Sequence, residues 1–247
     1  MIIVVLGLSI LIGVSLGLLG GGGSILTVPI LTYVGGMSAK AAIASSLFVV
    51  GVTSAAASVA HARAGRVRWR TGVIFGAAGM VGAYAGGQLA AFIPGRVLMI
   101  MFGLMMAATA VAMLRKPRAV EPPRTNDLPI LKVIVEGIVV GIITGIVGAG
   151  GGFLVVPALV LLGGLSMPLA VGTSLVVISL KSFAGFVGHL EHVDIDWPIT
   201  LGVTVAAVIG SIIGGNFVGR IPPAALRRGF GLFIIAMAAL VLAKELL

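Results

Sequence analysis

The chain has no cysteine, so it can form neither disulfides nor thiolate metal sites, and sulfur chemistry says nothing about its compartment. Charge is almost as scarce: only 9% of residues are charged and only seven are acidic. Those acids are assigned to loops or to the ends of apolar runs, which leaves no buried carboxylate constellation for acid–base catalysis and argues against an enzyme. A phosphate-cradling nucleotide fingerprint is also missing, so ATP hydrolysis by this chain is not expected. What fills the chain instead is apolar: 59% of residues are hydrophobic and the mean hydropathy is +1.24, which excludes a soluble domain with an ordinary surface. The solvent for most of its surface is therefore lipid. In 247 residues there is room for eight to ten crossings of about 20 residues or fewer, and none for a separate soluble domain. A net charge of +9 could suggest a nucleic-acid partner, but the basic residues sit in short connections between apolar runs, where membrane topology explains them and no nucleic-acid surface is formed.

The organising feature is GLLGGGGSILTVP, Gly17 to Pro29, and its echo GIVGAGGGFLVVP, Gly145 to Pro157. A shift of 128 residues superimposes them without a gap and holds almost to the end of the chain, the mark of a doubled unit. The expected division is a first transmembrane repeat at 1–114, a polar cytoplasmic linker at 115–129 rich in proline and charge, and a second transmembrane repeat at 130–247. The first apolar run, Ile2 to Leu19, lacks a positive flank and has a counterpart at Ile130 to Val147, so it is expected to stay in the mature protein. Glycines 20–23 cannot continue a helix comfortably, each costing about 1 kcal/mol against alanine. The run is therefore a broken helix, followed by a short segment, Ser24 to Val34, that rises only about 16 Å and is a half-helix. Each half then carries three more apolar runs: Ala39–Ala60, Thr71–Ile93 and Val97–Leu114, repeated as Leu169–Gly188, Ile199–Val218 and Ala224–Leu242 after a half-helix from Gly152 to Leu162.

Orientation follows from arginine and lysine in the short loops, since basic loops stay cytoplasmic. His61 to Arg70 carries four arginines, whereas its counterpart His189 to Pro198 carries no lysine or arginine and three acids. Equivalent loops thus face opposite sides. The expected fold is an all-α integral membrane protein made of two inverted repeats, each with about four membrane-spanning helices plus a short re-entrant half-helix after a glycine-rich break. Both termini then lie outside.

A break in hydrocarbon exposes amide and carbonyl groups at several kcal/mol each, so it survives only where the protein buries it or where it lines a polar cavity. Half-helices that begin at Ser24 and Gly152 turn unpaired amides and the positive end of a dipole toward the bilayer midplane, which suits an anion. The candidate binding residues are therefore Gly20, Gly21, Gly22, Gly23 and Ser24 with Gly148, Ala149, Gly150, Gly151 and Gly152. The competing reading is that the glycines only let helices pack closely. Ser45 and Ser46 align with Thr173 and Ser174 in the following helix, at a depth from which they could donate to an oxyanion or bond their own helix carbonyls. Lys181 is the charged residue deep in an apolar run, a counter-charge for the anion, a titrating group for proton coupling, or a lysine that snorkels to the interface. Gln88 and Asn216, equally placed amides, are candidates to line the cavity or cap its end, beside the small-residue pairs Gly82/Gly86 and Gly210/Gly214 that suit helix packing. His61 and His189, with Trp69 and Trp197, are read as interfacial anchors at segment ends. His189, Glu191, His192, Asp194 and Asp196 are read as a solvated loop, with no metal site and no cofactor beyond a possible coupling proton or ion.

On these motifs the chain resembles the sulfite exporter TauE/SafE family of bacterial membrane transporters: a glycine-rich break followed by a proline in each half, and Ser45–Ser46–Leu47 or Thr173–Ser174–Leu175 in the next helix. The resemblance implies a multi-pass protein of the bacterial inner membrane that transports, usually as export, small sulfur-containing anions such as sulfite or organosulfonates. It leaves the anion, the coupling ion and the oligomeric state open. An anion channel and a non-transporting assembly subunit are the alternatives.

Overall fold

The computed structural model describes residues 2–114, 130–147, 152–161, 163–190, 193–217 and 222–246. The linker expected at 115–129 lies outside them. Ten α-helices follow one another with no strand among the described residues: α1 (Ile2–Leu19), α2 (Gly22–Pro29), α3 (Ala39–Arg63), α4 (Trp69–Ala90), α5 (Gly95–Leu114), α6 (Ile130–Val147), α7 (Gly152–Leu161), α8 (Met167–Leu190), α9 (Trp197–Phe217) and α10 (Pro223–Leu246). α2 runs on as one π-helical turn, Ile30–Val34, because Pro29 and then Gly35 and Gly36 loosen the hydrogen-bond ladder around it.

Six of these helices, α3, α4, α5, α8, α9 and α10, are long and apolar enough to cross a membrane. α1 and α6, at 18 residues, rise about 27 Å and end at the breaks, so they fall just short of the full spans expected from the sequence. Outward faces are apolar, with Val81, Val205, Leu232 and Phe92 between 61% and 85% exposed. Side chains of that kind belong in hydrocarbon, and the chain is a multi-pass membrane protein. One acid departs from its expected place: Glu136 sits in the second turn of α6 and is partly buried.

Helix neighbours exchange under the same 128-residue shift that relates the two glycine runs. α1 packs on α9 as α6 packs on α4, and α3 packs on α9 as α8 packs on α4. The corresponding helices α3 and α8 pack on each other and run antiparallel: Phe48 meets Phe186, Gly51 faces Phe183, and Gly185 faces Leu47. α5 and α10 are likewise antiparallel, with Gly103 against Leu242 and Gly231 against Leu114. A buried cluster built on Phe102 of α5 and Phe230 of α10 holds Ile25 and Val28 of α2 together with Val156 of α7, which fixes both short helices inside the bundle.

The glycine pairs do the packing expected of them. A Cβ on Gly82 would overlap the Ile138 carbonyl of α6 and come within 2.8 Å of the Ile142 nitrogen, and one on Gly210 would overlap the Ile10 carbonyl of α1. Backbone cannot yield there as a side chain can. Gly82→Ala should therefore cost about 1–3 kcal/mol of stability, read as an earlier unfolding midpoint in detergent. Gly7→Ala, with nothing within 4 Å of the new carbon, should leave the midpoint in place.

Candidate functional site

α1 ends where Gly20 turns into the left-handed region, at φ 69°, while its amide still bonds the Leu16 carbonyl. Gly21 then starts α2 with no side chain capping the new helix end, so the first-turn amides that include Gly22, Gly23 and Ser24 have no side-chain acceptor at the cap. The start of α7 comes up against this point. A Cβ on Gly152 would lie 2.6 Å from the Gly21 Cα, 3.1 Å from the Ser24 hydroxyl and 2.8 Å from Ile178. The two helix N-termini thus abut, and they do so deep inside: Gly20, Gly21, Gly23, Ser24 and Gly152 are all buried. Gly148, Ala149, Gly150 and Gly151 lie outside the described residues.

The hydroxyls divide. Ser174 donates to the Val171 carbonyl at 2.8 Å and lies 3.2 Å from the Gly20 carbonyl, so it is part of the wall of the first break. Ser24 donates back to the Gly21 carbonyl at 2.7 Å. Ser46 donates to the Ile43 carbonyl within its own helix. Ser45 accepts from Thr200 at 3.0 Å, tying α3 to α9, and Thr173 accepts from the Arg68 amide at 2.9 Å, tying α8 to the arginine-rich connection. The hydroxyls of Thr53, Ser54 and Ser182 are buried without a hydrogen-bond partner among the described residues.

Lys181 is 1% exposed, and its ammonium donates to the Thr144 hydroxyl at 3.0 Å. Thr144 belongs to the last turn of α6, immediately before the second break, so the lysine does not snorkel to an interface. Its stem lies along Gly79 of α4. Thr53 stands at the equivalent place in the first half, and Leu16 at the place of Thr144, so only one half carries this cation. Gln88 and Asn216 stand on less buried faces of the last turns of α4 and α9: Gln88 is half-buried, within 3.4 Å of the Tyr84 hydroxyl, and Asn216 is exposed.

His61 and His189 overturn their reading as interfacial anchors, being only 1% and 4% exposed. α3 extends to Arg63, which places His61 inside the helix and on the face of Ser46 and Ser54, eight and fifteen residues along from the first hydroxyl. That spacing, and its repeat in Ser174, Ser182 and His189, was the signal available in the sequence. His61 Nε2 lies 3.1 Å from the Gly17 carbonyl in the last turn of α1, and Nδ1 is buried without a partner among the described residues. His189 Nδ1 instead faces the Gly185 carbonyl of its own helix at 2.9 Å. Trp197 does not stand alone as an anchor but packs edge-on against Phe48 and Phe186 where α3 and α8 cross. Among the described residues no group of three or more metal-ligating side chains occurs.

The family described as sulfite exporter TauE/SafE matches residues 5–241. A probable membrane transporter protein of Xylella fastidiosa is 36% identical over 98% of this chain and 95% of its own length. The probable membrane transporter proteins YdhB of Bacillus subtilis and MJ0441 of Methanocaldococcus jannaschii are 26% and 28% identical, over 88% and 91% of this chain and 90% and 91% of theirs. No solved structure matches it.

Proposed function

The chain belongs to the sulfite exporter TauE/SafE family, a family of membrane transporters, and from that premise we propose that it is a secondary transporter of small sulfur-containing anions, working by alternating access in the bacterial inner membrane. The observation that carries this reading is the abutment of two helix N-termini, one from each half, of which α2 has no side-chain cap. A helix N-terminus carries about half a positive charge and amide donors, and two brought together suit a compact oxyanion. The Lys181 side-chain nitrogen, held on Thr144 beside the second break, and the Ser174 hydroxyl at the first add donors to the site. Sulfite and organosulfonates fit the donor set, since each offers several acceptor oxygens on one anionic centre.

The proposed architecture is the inverted repeat. Corresponding helices that run antiparallel across their contact fit a two-fold axis perpendicular to the helices, lying in the membrane plane. The polar ties at one end of the bundle fit five elements per half: Tyr33 after α2 and Arg96 at the start of α5 both bond Glu245 at the end of α10, and Lys40 bonds the Ala91 carbonyl. The arginine-rich connection after α3 then lies inside and the acidic one after α8 outside. Because the chain has no native cysteine, Arg63→Cys and Asp194→Cys can be labelled separately from outside. Only the cysteine at 194 should react with an impermeant maleimide in whole cells, and equal labelling would contradict the inverted arrangement. For the substrate, a thermal-shift screen should show sulfite, thiosulfate or sulfonates raising the melting temperature well above any effect of neutral solutes. No anion effect, or an equal effect of neutral solutes, would remove the reading.

A further inference from the structure

Each break is accompanied by one buried nitrogen base fixed to the last turn of the helix that leads into it. At the second break the base is Lys181, on Thr144 of α6; at the first it is His61, on the Gly17 carbonyl of α1. A carbonyl can only accept, so the neutral ring of His61 must carry its proton on Nε2, which leaves the lone pair on Nδ1. That nitrogen is buried and has no partner among the described residues. Neither α1 nor α9, the helices packed on the ring, carries a titratable side chain, and the charged group whose field reaches it is Arg66 in the turn after α3. A charged ring buried there needs a counter-charge beside it. An arriving anion would supply the negative charge that a proton on this buried nitrogen needs beside it.

Resting on the anion-binding reading above, we propose that His61 is the coupling group of the transporter: it takes up one proton on Nδ1 as the anion settles at the breaks and returns it when the anion leaves, so that anion and proton cross together. Only a proton moves, from solvent to Nδ1 and back, and no covalent bond to the anion forms. His189 differs in what it holds: its ring faces the Gly185 carbonyl of its own helix α8, whereas His61 is fixed to the helix that leads into a break.

The test uses the full chain in proteoliposomes with sulfite as the probe. An inward proton gradient should stimulate sulfite uptake by the wild type at least tenfold. His61→Gln should lose that stimulation while sulfite–sulfite exchange across the membrane stays within about threefold of wild type, which shows that the variant is folded and still binds. His189→Gln should keep the stimulation. In nanodiscs, sulfite added at constant pH should move the Nδ1 resonance of a single histidine, absent in His61→Gln, among only three in the chain. A gradient response that survives in His61→Gln, or sulfite exchange with every histidine resonance unmoved, would overturn the coupling role and leave the anion site standing. Sulfite that neither stabilises nor exchanges in the wild type would overturn the anion site and this inference together.

Discussion

Replacing Gly20 by leucine should abolish sulfite transport, with uptake falling at least tenfold, even in preparations where the protein still reaches the membrane. Two costs act at that position. The backbone is left-handed there, at φ 69°, which disfavours any residue with a Cβ by about 1–2 kcal/mol. The new carbon would also sit 2.7 Å from the Ser174 hydroxyl and 2.9 Å from the Val171 Cα, and forcing atoms into a packed interior costs about 1–3 kcal/mol more. α8 is the helix that would have to yield, and α8 carries both Ser174 and Lys181, so the strain is delivered straight to the binding groups. Gly152→Leu should behave in the same way, because the Cα of Gly21 in its path is backbone. A glycine that only served helix packing would respond differently: the cost would appear as lower stability, with normal transport by the molecules that remain folded. Uptake per folded molecule, normalised by size-exclusion profile, separates the two.

The second large effect comes from Lys181→Met, and it has opposite signs in the two assays. An ammonium buried with one hydroxyl partner among the described residues costs about 2.5 kcal/mol or more on insertion, and replacing buried charge by a side chain of similar volume is often neutral or stabilising. Without anion the variant should melt several degrees above wild type. Thr144 would not be stranded, since its hydroxyl is within 3.2 Å of the Gly141 carbonyl. With sulfite, however, the stabilisation seen in the wild type should vanish and uptake should fall to background. A lysine with only a structural part to play would give the reverse, a less stable variant that still responds to sulfite.

Much of this arrangement is legible in the chain because duplication makes the local signals appear twice. The break at Gly20 and the short helix after it follow from four glycines and a proline inside an apolar run, and Gly152 abuts Gly21 in the interior. The helices run two or three residues beyond the apolar runs, past the point where polar residues begin. α3 continues to Arg63 and α8 to Leu190, since a helix in lipid keeps its own hydrogen bonds regardless of side-chain polarity. That one turn decides the histidines: read as loop they are anchors, read as helix they fall on the buried face with Ser54 and Ser182. The faces of Gln88 and Asn216 are set in a related way. Equivalent amides on corresponding helices suggest a shared cavity, yet the face they occupy is set by the glycines before them, which draw the other side of α4 and α9 against α6 and α1. The partnership of Lys181 with Thr144 was not readable at all, because it joins helices whose register depends on close glycine contacts and has no counterpart in the first half.

The most direct measurement of the central claim is the position of the anion itself. Crystals of the full chain grown with selenite in place of sulfite should show an anomalous selenium peak between the starts of α2 and α7, within hydrogen-bonding distance of first-turn amides. Selenium found only at surface arginines, with the meeting point of Gly21 and Gly152 empty in a protein that still transports sulfite, would contradict it.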